Sequence, residues 1–157
     1  MFPAKVLLAV DGSAEAVPAL GAAVDLASGT GSELHIVHVV STVPTMPYPG
    51  VRGQEKSEAY LEQRRLGGLR LLEYQSGRVR DLGWAVAATH YREGVPEREV
   101  LELGREIDAG IIVTGGQKRP WFERIFGAGF STKVLRRADR PVLVVGKGGS
   151  RGSTVTR

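Results

Sequence analysis

Two short stretches carry residue types suited to binding an anion. Asp11-Gly12-Ser13 directly follows an apolar run and precedes a helical pattern. Backbone N–H groups at a helix start attract anions, and Gly12 lets a ligand approach the main chain closely. Asp11 itself repels phosphate, so it suits a ribose hydroxyl or a divalent cation. The plainer alternative is a turn with an N-cap. The second stretch is Thr114-Gly115-Gly116-Gln117-Lys118, with Phe126-Gly127-Ala128-Gly129-Phe130-Ser131 beyond it. A glycine pair after a buried strand suits close backbone approach to phosphates. Residues 127–131 open another helix, with free N–H groups and a hydroxyl. Lys118 and Arg119 add positive charge. Taken singly, a glycine pair is usually only a turn.

Other chemistries are excluded or weak. The chain has no cysteine, which removes thiolate metal sites, Cys nucleophiles and disulfides. His35, His38 and His90 show no metal-ligand spacing. His38 and His90 are conceivable general bases, yet a lone strand histidine is more often a packed core residue.

These residues need a scaffold, and the hydrophobic pattern supplies one. Lys5–Val10 is too short and too continuously apolar for a helix, and it suits a strand buried on both faces of a parallel sheet. Ser13 can cap a following helix with apolar contacts at Val17, Leu20, Val24 and Ala27. Leu34–Val40 supplies a second strand. Three prolines within residues 41–53 rule out helix there, and that loop carries Met46 and Tyr48. A long helix is expected from Glu55 to Asp81, with Tyr60, Leu61, Leu69, Leu72 and Val79 among its apolar contacts. Trp84–Tyr91 reads as a third strand. A helix after Pro96 carries Val100, Leu101 and Leu103. Gly110–Thr114 is a fourth strand, Ser131–Arg137 a short helix, and Pro141–Val145 a fifth strand. Strands alternating with helices predict a doubly wound α/β fold around a parallel sheet. Ligands in such sheets sit beyond the carboxyl ends of the strands, where the winding reverses.

With 157 residues the chain fits one domain, expected over 1–146, followed by a flexible basic tail at 147–157. The net charge of +4 raises the question of nucleic acid. The basic residues, however, lie on helices that also carry acids or decorate the glycine-serine tail. No aromatic residues interleave with them as a stacking platform requires, so no specific nucleic acid is expected. The start of the chain shows no basic region followed by a long apolar one. No run approaches the roughly 18 apolar residues of a membrane span. The expectation is a cytoplasmic protein with no membrane partner.

At this point the blocks resemble a family. Val-Leu-Leu-Ala-Val-Asp-Gly-Ser, Leu-His-Ile-Val-His-Val-Val and Arg-Glu-Gly-Val-Pro occur in order, then Ile-Ile-Val-Thr-Gly-Gly, then Ser131-Thr-Lys-Val-Leu-Arg-Arg-Ala-Asp-Arg-Pro-Val-Leu-Val-Val145. Together, over roughly residues 4–146, they are similar to the universal stress proteins. That resemblance implies a five-stranded parallel sheet of order 3-2-1-4-5. It also implies a homodimer, often built by pairing the last strands, here Val142, Leu143, Val144 and Val145.

Nucleotide-binding members carry Gly-x-x-Gly-x9-Gly-Ser/Thr after strand four. Aligned on this chain, the first glycine is Gly115, the second position holds Lys118, the third Ala128, and the Ser/Thr position holds Gly129. One of the four positions matches. Gly116, Gly127 and Gly129 offer displaced glycines, whereas Lys118 puts a Cβ where the family brings backbone close to phosphate. Members lacking the motif resemble a branch that does not bind ATP, and this chain leans part of the way towards them. For a bound nucleotide, ATP or AMP with Mg, the resemblance puts adenine against Ala9, Val10 and Val39. It puts Asp11 at the ribose or metal, and residues 115–118 and 128–131, Phe130 and Ser131 among them, at the phosphates, with Thr114 adjoining.

Two functional readings stand side by side: an adenine-nucleotide-binding regulatory dimer, at most a very slow ATPase, and a relative acting through protein partners without nucleotide. An ATP pyrophosphatase would want Ser-Gly-Gly-x-Asp-Ser after strand one. A phosphoacceptor receiver would want an acidic pair there, and Asp11 stands alone.

Overall fold

The computed structural model describes residues 4–11, 16–42, 58–116 and 129–146. Five strands form one all-parallel sheet: β1 (Lys5–Ala9), β2 (Glu33–Ser41), β3 (Val86–Gly94), β4 (Ile111–Gly115) and β5 (Val142–Val145). The order is β3-β2-β1-β4-β5, as the resemblance implied. Four helices are described: α1 (Ala16–Thr30), α2 (Glu58–Asp81), α3 (Pro96–Glu106) and α4 (Phe130–Arg137).

The apolar strand runs follow from burial on both sides. Along β1 and its exit, Val6, Leu8 and Val10 join the core that α1 and α2 cover, through Leu20, Val24, Leu72 and Val79. Leu7 turns the other way, with Val37 and Ile112, to meet Val100, Leu101 and Leu103 of α3 and Val134 of α4. Period-two alternation thus gives β1 a place in both cores, and its buried residues on either face are apolar.

The third strand begins at Val86, two residues later than the expected Trp84, and runs on to Gly94. The Trp84 amide still donates to the Val79 carbonyl at 3.2 Å, so this residue belongs to the exit of α2. At the far end β3 must extend to match β2, whose Ser41 pairs with Gly94. The strand is an edge, which lets it carry Arg92 and Glu93.

Helix α2 also differs from expectation. It buries Gly68, Leu72, Gln75 and Val79, a single stripe at 4-3-4 spacing. Leu72 and Val79 lie on it as expected, but Tyr60, Leu61 and Leu69 are 38%, 50% and 39% exposed. Leu69 sits one residue off the stripe, and Tyr60 and Leu61 belong to the first turn. The loop expected over 41–53, beyond Ser41 and Thr42, lies outside the described residues, as does the tail expected at 147–157.

Beneath the sheet's other face, Arg140 ties α3 to the strand after it. Its guanidinium donates to the carbonyls of Gly104 at 2.6 Å and Ala109 at 2.8 Å, bridging the last turn of α3 and the chain that enters β4. Asp139 holds the same guanidinium at 3.0 Å and also accepts from Arg105. These two hydrogen bonds bring its carboxyl down to about 2.

Candidate functional site

The winding reverses between β1 and β4. After β1 comes α1 on one face and after β4 comes α4 on the other, and in sheets of this kind ligands sit in the crevice at the carboxyl ends between two such strands. Register pairing of β1 with β2 ends at Ala9 and Val37. One residue on, the Val10 amide donates to the Val37 carbonyl at 2.9 Å. The Val10 carbonyl then accepts from His38 Nδ1, also at 2.9 Å. A carbonyl can only accept, so Nδ1 carries the proton.

Ala9 and Val39 are half-buried and share the face that α3 and α4 cover. Both pack on one apolar cluster with Phe130 and Val144. Val10 points the opposite way and is 5% exposed, its side chain part of the other core. Asp11 is exposed at the strand exit. The structure therefore gathers Ala9, Val39, Phe130 and Val144 on one face. Val10 is not among them: its side chain lies in the other core, and its amide and carbonyl are taken by Val37 and His38.

At the end of β4, Thr114 is buried and Gly115 half-buried. The Gly116 amide donates to the Val145 carbonyl at 2.8 Å. A Cβ at Gly116 would stand 3.1 Å from Val144 Cγ1, tighter than ordinary contact. Packing against β5 thus favours a small residue at 116. Neither Gly115, Gly116 nor Gly129 has positive φ. Gly129 is the extended N-cap of α4, with no side-chain capping bond, and its carbonyl accepts from the Lys133 amide at 3.0 Å. The first amides of this helix, at Phe130 and Ser131, have no intrahelical acceptor. Lys118 and Ala128 lie outside the described residues. No group of three or more His, Asp or Glu side chains is placed to hold a metal among the described residues.

The histidines do not converge on this crevice as a set. His38 looks towards α2. His35, buried at 7% exposure, faces the α3 side. Its Nδ1 lies 3.0 Å from His90 Nε2, the rings stack 5.3 Å apart, and its Nε2 lies 3.1 Å from Glu33. Sequence reading missed this pair because it depends on cross-strand register, which a bulge between Leu34 and His35 shifts. Burial, His35 and Arg92 push the His90 imidazole below its usual range, while Glu106 opposes them. Glu33 is held low chiefly by its bond to His35.

The sequence model of the universal stress protein family matches residues 4–146. The universal stress protein YxiE of Bacillus subtilis is 31% identical over 154 residues, covering 90% of this chain and 97% of its own. Among solved structures, a universal stress protein in complex with cAMP superposes with a TM-score of 0.64 at 19% identity, covering 93% of this chain and 98% of that one. The universal stress protein of Archaeoglobus fulgidus in complex with dAMP gives 0.60 at 21% identity, covering 92% and 99%. At these identities the structural likeness is one of fold.

The histidine pair makes a pH test possible. The folded protein holds the His90 pKa below the unfolded value near 6.5. Above that value neither state is charged. Below it the unfolded chain binds the proton first, so stability is lost as pH falls from about 6.5 through the folded pKa. Urea midpoints measured from pH 7.5 downwards are expected to decline over this window in the wild type. In His90→Gln, which keeps a polar atom near the Nε2 position, the decline is expected to be shallower. Equal slopes in the two proteins would show that His90 is not held neutral.

Proposed function

The chain belongs to the universal stress protein family, and from that membership we propose that it is a cytoplasmic regulatory module binding an adenine nucleotide at the carboxyl ends of β1 and β4. The observation that carries this reading is the half-open apolar shelf of Ala9 and Val39, set beside Asp11 at the point where the winding reverses. An adenine ring would lie on that shelf and against the backbone of Val10. Asp11 would take a ribose hydroxyl or a nucleotide-bound Mg. The glycines after β4, with Lys118, and residues 128–131 at the α4 start would receive phosphates. The relatives solved with cAMP and dAMP support an adenine ligand. One observation favours the other reading, a module that acts through protein partners: Lys118 and Ala128 stand where the family motif has glycines.

Calorimetric titration with ATP and Mg separates the two. Wild type is expected to bind, and Asp11→Ala to bind about tenfold more weakly, a loss of about 1.4 kcal/mol. Lys118→Gly is expected to bind more tightly, because a side chain leaves the path of the phosphates. If Lys118 acts only as a cation, the same variant binds more weakly. Absence of binding by both wild type and Lys118→Gly at millimolar ATP would reject the nucleotide reading in favour of partner binding.

We also propose a homodimer through β5. This strand is an edge, and its four residues are all apolar. Ile112 and Gly116 donate to the carbonyls of Pro141 and Val145, so the alternate residues Val142 and Val144 turn their backbone groups outwards. A two-fold axis would set two such edges antiparallel. Light scattering at micromolar concentration is expected to give twice the 16.9 kDa chain mass. Val144→Pro removes an outward donor without touching the ladder to β4, and it should lower the mass towards that of one chain. A wild-type monomer would count against the interface.

A further inference from the structure

The candidate site rests on one side chain that lies on its far side. The Val10–Asp11 peptide closes β1, and its carbonyl is fixed by His38 from β2 at 2.9 Å. No peptide bond among the described residues is cis. In a planar trans peptide the N–H points opposite to the C=O. A carbonyl held towards β2 therefore turns the Asp11 N–H towards β4, across the crevice. The same plane sets where the Asp11 Cα, and so its carboxylate, begins.

The imidazole is itself held in place. His38 pairs across strands with Tyr91. Both rings press on α2 at Gly68, where an added Cβ would lie 2.6 Å from Tyr91 Cε2 and 3.1 Å from His38 Cδ2. Only a residue without a side chain lets α2 settle this closely. The Tyr91 hydroxyl donates to Glu93 at 2.8 Å, and burial with this bond moves the phenol up to about 12, so it stays neutral. Arg64 of α2 donates to the Ser41 carbonyl at 3.0 Å, fastening the helix to the end of β2. The chain of contacts runs from α2 through Gly68 and His38 to the peptide that carries Asp11.

We propose that His38 is a positioning residue for the nucleotide site. It touches no ligand, and it orients the Val10–Asp11 peptide so that the Asp11 amide and carboxylate face the crevice. This deepens the nucleotide reading above and rests on it. Two variants separate hydrogen bonding from bulk. His38→Leu fills the space without a donor, while His38→Asn returns an N–H near the Nδ1 position.

The test uses the full chain. ATP with Mg is expected to bind His38→Leu about tenfold more weakly than wild type, the loss that follows from removing one hydrogen bond. His38→Asn is expected to regain most of that loss. Equal binding by His38→Leu and wild type, or no recovery in His38→Asn, would overturn the proposal. If wild type itself does not bind ATP, the nucleotide reading has failed, and the Asp11 amide resonance then decides the positioning role. It should shift in His38→Leu and return in His38→Asn, and an unmoved resonance would overturn it. A readout independent of any variant comes from the imidazole nitrogens of wild type. His38 is expected to carry a proton on Nδ1, and an Nδ1 without one would end the idea.

Discussion

Strand β1 has no free side. It pairs with β2 along one edge and β4 along the other, and its faces lie against helices above and below. Val6, Leu7 and Leu8 are fully buried. Transfer of such side chains from water contributes roughly 1.5–3 kcal/mol each, so this short strand anchors both cores. Because it is locked on four sides, the place where it ends is fixed to the precision of the sheet. Asp11 leaves from that fixed point.

That rigidity explains how a site can be built from so little. The Val10 backbone is held on both its polar groups, by the Val37 carbonyl and the His38 imidazole. On the neighbouring strand, Val39 lies two residues beyond the last register partner of Ala9 and so returns to the same face. Across the reversal, Gly116 lies so close to β5 that a side chain would crowd Val144. Phe130 completes the apolar cluster from the start of α4. Four separate elements thus meet at one end of the sheet, and local burial requirements decide most of their residues.

Much of this was legible in the sequence. Apolar runs broken by Asp-Gly, Pro and Gly marked five strands, and the resemblance supplied their order. Burial stripes were read less well. Tyr60, Leu61 and Leu69 are apolar, yet composition cannot reveal that the stripe passes through Gly68, which lies against Tyr91 and His38, and through Gln75. Trp84 reads as strand by type, but its amide is committed to the end of α2. Ala9 and Val39 follow from period two, which equally turns Val10 away. Contacts between strands stayed hidden. The His35–His90 pair needs a bulge, and the His38 bond needs a carbonyl that no pattern marks.

The central claim is that one crevice, between the ends of β1 and β4, receives an adenine nucleotide. Backbone amide NMR of the labelled protein during titration with AMP tests it residue by residue. The account expects saturable shifts at Ala9, Val10, Asp11, Val39, Gly115, Gly116, Phe130 and Ser131, with the outer face of α2 around Tyr74 unmoved. Shifts confined to that helix, or none at millimolar AMP, would contradict it.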